Sequence, residues 1–296
     1  MIELSEPLSK RLQRPVQDAR YSLLGLVSRW LVPDLIEREF DRLSVFCCFV
    51  GHGRSGGSLV GALLNAHPNV VMSNELNALR RLRLGMPTRQ LFRLIYLVSK
   101  RQVERGSIGG GGYSYAVPNQ WQGKHRELMV IGDRKAGATA YEIVRYPALL
   151  DTLDRKVGPR KLFIHVVRNP FDTIATTYLK TLPTPGTNAN AHLSREISNF
   201  FARCSAVEQI ETRLGAGSIY YLHHEHLIAD PANQIRHICK YLGIEAFPDY
   251  LLDCAGILKK SPHKSRRLLE WPALSVADVK HGISKYHWLS DYKAAP

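Results

Sequence analysis

Residues 49–58 read FVGHGRSGGS and separate the apolar run Val45–Val50 from a helical pattern over residues 59–66. A strand that passes through glycines into a helix leaves backbone N–H groups free at the helix N-terminus, where the helix dipole also favours an anion. The spacing is close to that of a nucleotide P-loop, but Gly57 stands where the phosphate-binding lysine belongs. Arg54 carries the segment's fixed positive charge. We therefore predict a phosphate or sulfate site here, with an ordinary tight turn as the alternative.

Short apolar runs alternate with helical patterns along most of the chain. The predicted strands are residues 45–50, 70–72, 128–131, 161–167 and 219–222, and the predicted helices include residues 59–66, 141–153, 170 onward, a long helix ending near 214, and 231–242. This alternation predicts an α/β fold with a central parallel sheet flanked by helices. Glu75, Lys135 and Arg168 each follow a predicted strand, at the edge where parallel sheets bind ligands.

We interpret residues 1–42 as an N-terminal helical appendage and residues 43–296 as one domain. The appendage has helical apolar spacing over residues 21–40, interrupted at Pro33, and its packing on the domain is favoured over a membrane interface. The chain has no run of eighteen apolar residues and no pattern of a secretory signal. We expect a cytoplasmic protein, with membrane association left open.

The formal net charge is +14 and the sequence pI is near 9.7, which indicates an acidic partner. Between Arg80 and Arg105 eight residues are basic and one is acidic, with apolar residues interspersed. This predicts a basic amphipathic helix with a solvated face, and peripheral membrane contact is the alternative. The five cysteines form no Cys-x-x-Cys pair, so buried thiols are expected and no metal site.

Two motifs resemble those of the sulfotransferases that use 3′-phosphoadenosine 5′-phosphosulfate (PAPS). The first is GHGRSGGSLVGALLNAHP at residues 51–68, and the second is LFIHVVRNPFDTIATTY at residues 162–178. The first is similar to the family's 5′-phosphosulfate loop, with Gly57 in place of a hydroxyl residue, and the second to its 3′-phosphate segment. The resemblance covers residues 46–242 and implies the P-loop NTPase-like sulfotransferase fold, closer to the tyrosylprotein and carbohydrate branches than to the cytosolic phenol branch.

The resemblance also implies which residues bind the donor PAPS and its product, adenosine 3′,5′-bisphosphate. Those for the 5′-phosphosulfate are Arg54, Ser55, Gly56, Gly57 and Ser58, and those for the 3′-phosphate are Arg168 and Thr176. A weaker third match, YLHHEHL at residues 221–227, has His224 where the family has tyrosine. The role of His224 is therefore open.

Glu75 and Lys135 match positions that the family implicates in catalysis, with glutamate as the base and lysine near the sulfate. The resemblance thus implies in-line sulfuryl transfer by Glu75, Lys135 and Arg54. His52 is a second candidate for the base, although a solvent-facing loop histidine is its simpler interpretation.

Two other functions remain as alternatives at this point. A P-loop-like kinase would use Asp133 to order magnesium, but the lysine that it needs is absent at Gly57. A non-catalytic polyanion- or RNA-binding module would fit the charge, yet the sequence lacks RNP motifs, and no nucleic acid is expected. The acceptor is expected to bear a hydroxyl or amine, and carbohydrate, lipid and small molecule all stay open.

Overall fold

A computed structural model describes residues 8–106, 114–181, 188–259 and 261–292. The sequence also predicts irregular segments at residues 108–121 and 181–191, and parts of both, residues 107–113 and 182–187, lie outside the described residues. The strands are β1 (Val45–Val50), β2 (Val70–Ser73), β3 (Val130–Asp133), β4 (Arg160–Val167) and β5 (Ile219–His223). They form one parallel sheet in the order β2-β3-β1-β4-β5, as the alternating pattern predicted.

The central strand β1 is buried along its whole length because helices cover both faces of the sheet. Phe46, Cys48 and Val50 pack into one hydrophobic core, and Val45, Cys47 and Phe49 pack into the other. Successive side chains of a strand point to opposite faces, so one six-residue apolar run supplies both cores. All five cysteines are buried and unpaired, as expected.

The helices that surround the sheet differ from prediction mainly in where they break. They are α1 (Leu8–Leu31), α2 (Asp34–Glu39), α3 (Gly57–Asn65), α4 (Ala78–Arg83), α5 (Thr88–Glu104), α6 (Ala136–Arg145), α7 (Leu149–Lys156), α8 (Pro170–Lys180), α9 (Ala189–Leu214), α10 (His224–Ala229), α11 (Pro231–Leu242), α12 (Pro248–Gly256) and α13 (Ala273–Ile283). Short 3₁₀ helices span Phe40–Arg42, Ala216–Ser218, Ser265–Leu268 and His287–Tyr292.

Prolines account for two of these breaks. The basic segment predicted as one helix is split into α4 and α5, with Pro87 directly before α5, and residues 141–153 are split into α6 and α7 around Pro147. Proline disfavours a helical conformation in the residue before it. Beyond Phe247 the sequence is basic and predicts an irregular tail, whereas the structure contains α12 and α13 there.

The basic segment packs its apolar side against the core and pairs part of its charge within the chain. The apolar side chains on α5 are buried, and five of the eight basic residues pair with acidic residues of other elements. The pairs are Arg80 and Arg81 with Asp18, Arg80 and Arg83 with Glu142, Arg89 with Glu37 and Asp41, and Arg93 with Glu37. The apolar underside of α5 is therefore buried as the amphipathic pattern predicted, and ion pairs within the chain take up the charge of five of the basic residues. Among the described helices, none is both long and apolar enough to cross a membrane.

Candidate active site

The loop after β1, residues 51–56, which we call the glycine-rich loop, curves tightly over β4, a neighbour of β1 in the sheet. Gly51 and Gly56 have φ angles of 107° and 105°, and Arg54 has 70°, all in the left-handed region that favours glycine. A Cβ on Gly51 would lie 2.2 Å from Nδ1 of His165 on β4. The loop can therefore cross β4 here only without a side chain, and α3 then begins at Gly57.

The N-terminus of α3 presents free backbone N–H groups. Its first N–H groups have no intrahelical acceptors, and within the described ranges residues 55–58 donate no backbone hydrogen bond to the protein. The Ser55 hydroxyl turns inward and donates to the carbonyl of His52 at 3.0 Å, which fixes the loop from within. The Arg54 side chain is exposed beside these N–H groups.

Arg168 joins the second sequence motif to the first. It follows β4, and its Nη1 donates to the backbone oxygen of Arg54 at 2.9 Å, while Nη2 donates to the backbone oxygen of His263. The side chain is 8% exposed, and burial lowers the pKa of Arg168 from its ordinary value. Its Nε is buried and has no hydrogen-bond partner among the described residues, so this guanidinium retains a donor for a further acceptor.

Thr176 lies on α8, eight residues after Arg168 in the sequence. Its hydroxyl is 2.7 Å from the backbone oxygen of Asp172 and 2.8 Å from the hydroxyl of Ser265, which is in turn 2.8 Å from Nδ1 of His263. The structure thus brings Arg168 and Thr176 to one C-terminal segment, residues 263–265.

The role of this C-terminal segment was not predicted, because its basic residues indicate only an irregular tail. In the structure Arg266 forms an ion pair with the buried carboxylate of Asp172 at 2.5 Å and donates its backbone N–H to the same group at 2.9 Å. The sequence held one indication of this contact. Asp172 lies among the apolar residues of α8, and a buried carboxylate needs a cation from elsewhere in the chain.

Glu75 and Lys135 meet at the carboxyl edge of β2 and β3. Lys135 Nζ lies 3.2 Å from Glu75 Oε2, and Arg134 Nη1 lies 3.7 Å from Glu75 Oε1. Glu75 has a φ of 68°, and its side chain is 55% exposed, so the carboxylate is open to solvent on one side. Glu75 and Lys135 are therefore adjacent. Arg134, which was not predicted from the sequence, also lies near the Glu75 carboxylate.

Asp133, at the end of β3, holds the turn that carries Glu75. Its Oδ1 accepts from the N–H of Leu76 at 3.1 Å and from the hydroxyl of Ser73 at 2.9 Å, and its Oδ2 accepts from the N–H of Ala78 at 3.0 Å. Burial raises the pKa of Asp133. Both oxygens are engaged by donors of the protein, whereas the kinase alternative required this carboxylate for magnesium.

His52 is not a solvent-facing loop residue. Its ring is buried and stacks on Phe200 with centroids 3.8 Å apart, and its Nε2 lies 3.6 Å from Sγ of Cys204. Desolvation places the pKa of His52 well below its ordinary value, with a smaller contribution from His165. The apolar residues of α9 that take up this ring were not recognisable as its partners from sequence.

His224 packs against the glycine-rich loop. A Cβ on Gly56 would lie 3.1 Å from its Nδ1, and that nitrogen is buried without a hydrogen-bond partner among the described residues. Burial, and then the charge of Arg168, lowers the pKa of His224. The next residue, Glu225, accepts from the N–H of Asn169 at 3.1 Å and so braces the turn after β4.

Arg134 connects the two halves of the site. Its Nη1 donates to the Ser58 hydroxyl at 2.7 Å, at the start of α3, while the same guanidinium approaches Glu75. Gly61 makes room for it, because a Cβ there would lie 2.4 Å from Cδ of Arg134. A glycine on the helix one turn after the loop was the sequence signal for this contact.

Comparison with known proteins bears on this arrangement. A model described as "Sulfotransferase family" matches residues 48–249, more than half of the chain. The chain belongs to the sulfotransferase family. No curated protein matches it closely enough to report.

Two solved structures have a similar fold to this sulfotransferase. The sulfotransferase domain from the Synechococcus PCC 7002 olefin synthase is 16% identical in sequence, with a TM-score of 0.52. The match covers 82% of this chain and 94% of that domain. The sulfotransferase domain from the curacin biosynthetic pathway is 13% identical with a TM-score of 0.51, and the coverage is 82% and 98%. At these identities the similarity shows the α/β sulfotransferase fold alone.

The described residues were also compared with the arrangements that bind metal ions. Within the described part of this sulfotransferase, no group of three or more His, Cys, Asp or Glu side chains is arranged to hold a metal ion. The prediction that the reaction needs no metal stays a prediction.

Proposed function

We propose that this sulfotransferase uses PAPS as its donor and transfers the sulfuryl group to a hydroxyl or amine of its acceptor. The contact between Arg168 and the Arg54 carbonyl carries the proposal. It joins the two segments that we propose to bind anions, and each of them follows a strand of the same sheet. One ligand with anionic groups at both ends would satisfy both, and PAPS has that chemistry.

The residues present fit such a donor. The free N–H groups of residues 55–58 and the Arg54 side chain would hold the 5′-phosphosulfate, since backbone donors and a guanidinium both favour oxyanions. Arg168 and Thr176 would hold the 3′-phosphate. The Nε of Arg168 and Nδ1 of His224 are buried and have no hydrogen-bond partner among the described residues, which supports a polar ligand there. The 3′-phosphate distinguishes this donor from ATP.

PAPS would supply the sulfuryl group, which passes from a phosphate oxygen to the acceptor and leaves adenosine 3′,5′-bisphosphate as the product. Glu75 would accept the proton of the acceptor hydroxyl, a role open to it because its carboxylate is half exposed at the edge of the sheet. Lys135 and Arg134 would place positive charge beside the reacting groups. His52 is a poor candidate for the base because it is buried against Phe200.

The acceptor is defined here only by class, as a carbohydrate, lipid or small molecule with a hydroxyl or amine. The cytoplasmic location and the separation of residues 1–42 from the remaining domain stay predictions from the sequence. None of them is needed for the donor to be tested.

Calorimetric titration tests the donor before any acceptor is known. Adenosine 3′,5′-bisphosphate should bind more tightly than ADP with magnesium, and Arg168→Ala should weaken the bisphosphate by roughly ten- to a hundredfold, the loss of one charge-assisted contact. Arg213→Ala is the matched control, because Arg213 pairs with Asp151 at 2.8 Å on the surface.

Arg168 also holds two backbone carbonyls, so the variant must be shown to be folded. Thermal unfolding monitors this, and Arg168→Lys offers a second variant that keeps the charge. Wild-type bisphosphate affinity in a folded Arg168→Ala protein would remove the 3′-phosphate assignment. Preference for magnesium ADP in the wild type would contradict PAPS as the donor.

A further inference from the structure

The first helix has two apolar faces, and the described residues of the chain cover one of them. On the inner face Asp18 pairs with Arg80 and Arg81 of α4, Leu24 packs on the core, and Ser28 is buried. Gly25 approaches α5 so closely that a Cβ would lie 2.5 Å from Nε2 of Gln90. These contacts fix the rotation of α1 about its axis.

The outer face of α1 consists of large apolar side chains in solvent. Trp30 is 81% exposed, Leu26 69% and Leu23 64%, and Val16 and Val27 are exposed beside them. Residues 16, 23, 27 and 30 follow the spacing of one helical stripe, so these side chains form a continuous surface. We call this surface the α1 outer face. Exposed apolar patches of this kind mark contact with another apolar surface.

The charges around the α1 outer face indicate which kind of partner surface it would contact. Asp18 is the only acidic residue in the sequence of α1, and it points inward to two arginines. Arg20 is exposed beside the patch, whereas Arg29 is exposed but pairs with Asp34 at 2.9 Å. The sequence of α1 holds five basic residues against one acidic residue, so the patch lies on a basic helix of a chain whose formal net charge is +14.

We propose that the α1 outer face docks this protein on an anionic lipid bilayer. Trp and Leu side chains enter the boundary between headgroups and acyl chains, and the basic residues of the helix attract anionic headgroups. Pairing with a second copy is disfavoured because it would bring together two basic helices on two strongly basic chains. The proposal goes beyond sulfuryl transfer and does not depend on it.

Vesicle flotation of the full chain tests the docking. One set of vesicles contains phosphatidylcholine alone, and the other contains equal parts of phosphatidylcholine and phosphatidylglycerol. We expect binding to the anionic vesicles, weakened by added salt, and about tenfold weaker binding of the Leu23→Ser/Trp30→Ser protein, since both apolar side chains would otherwise enter the bilayer.

The control is Leu252→Ser/Leu274→Ser. These leucines are 73% and 81% exposed on α12 and α13, so the change in exposed apolar surface is similar while the α1 outer face is intact. Both double variants replace exposed side chains and should unfold at the wild-type temperature.

Three results would overturn the proposal. The first is no binding of the wild type to anionic vesicles, and the second is equal loss of binding in the control protein. The third is a wild-type dimer in light scattering that the Leu23→Ser/Trp30→Ser change dissociates, which would assign the surface to a second copy. Quenching of Trp30 fluorescence by brominated lipid, absent in Trp30→Phe, would support insertion directly.

Discussion

Individual side chains of the site have environments that the sequence did not specify. The roles predicted for Glu75, Lys135, Arg54 and Arg168 come from the resemblance to the PAPS-dependent sulfotransferases. Each of these residues also follows a strand or lies in the glycine-rich loop, and a parallel sheet gathers such positions at one edge. Arg134 was missed although it is adjacent to Lys135. Which of two neighbouring cations turns toward Ser58 depends on the space that Gly61 leaves, and that is a tertiary property.

Glu75→Gln tests the proposed base at this scale. The amide cannot take up a proton, so we expect sulfated product to form about a hundredfold or more slowly in an acceptor screen with labelled PAPS. The affinity for adenosine 3′,5′-bisphosphate should change little, because the proposal gives Glu75 a role with the acceptor and none in binding the bisphosphate. Glu104→Gln, on the exposed end of α5, is the control. Product formation at the wild-type rate in Glu75→Gln would exclude Glu75 as the base.

At the scale of elements, strands were predicted more accurately than helices. A run such as Val45–Val50 must be buried on both sides to be stable, which leaves few alternatives. Helix ends depend on local competition, and two predicted helices were interrupted near Pro87 and Pro147. α12 and α13 were missed because basic residues between them suggested an irregular tail.

Gly132→Ala probes how closely the strands pack. A Cβ at Gly132 would lie 1.9 Å from the backbone oxygen of Cys47, and the backbone of a central strand cannot move aside easily. We expect the free energy of unfolding to fall by roughly 3 kcal/mol, at the upper end for overpacking. Gly158→Ala, where a Cβ would meet nothing within 4 Å, should have little effect. Urea unfolding of both proteins is the measurement, and equal stabilities would refute the steric account.

The whole molecule encloses several histidines that sequence alone would leave exposed. His165 lies beneath the glycine-rich loop, and burial lowers its pKa to about 4. His52 beside it is shifted in the same direction. Nothing in the pattern of residues 162–167 indicated that an apolar strand would carry its histidine inward, because that depends on Gly51 crossing above it.

These histidines make stability depend on pH. The folded-state pKa of His165 is below its value in the unfolded chain, so the unfolded chain binds more protons and stability is lost as pH falls from neutral toward 4. His165 alone should cost about 2 kcal/mol between pH 7 and pH 5. Urea unfolding at both pH values measures the difference, which should be smaller in His165→Asn and unchanged in His281→Asn, an exposed position. A difference as large in His165→Asn as in the wild type would contradict this origin.

The contact of Arg168 with the carbonyl of His263 affects how shortened relatives should be judged. Both recognisable motifs end before residue 179, yet the wall beside Arg168 and Thr176 comes from residues 263–266, almost ninety positions later. A gene product truncated after residue 258 would keep every letter of both motifs and lose that wall. For this chain, then, the two motifs are evidence of ancestry, whereas the proposed donor pocket also needs the segment at residues 263–266.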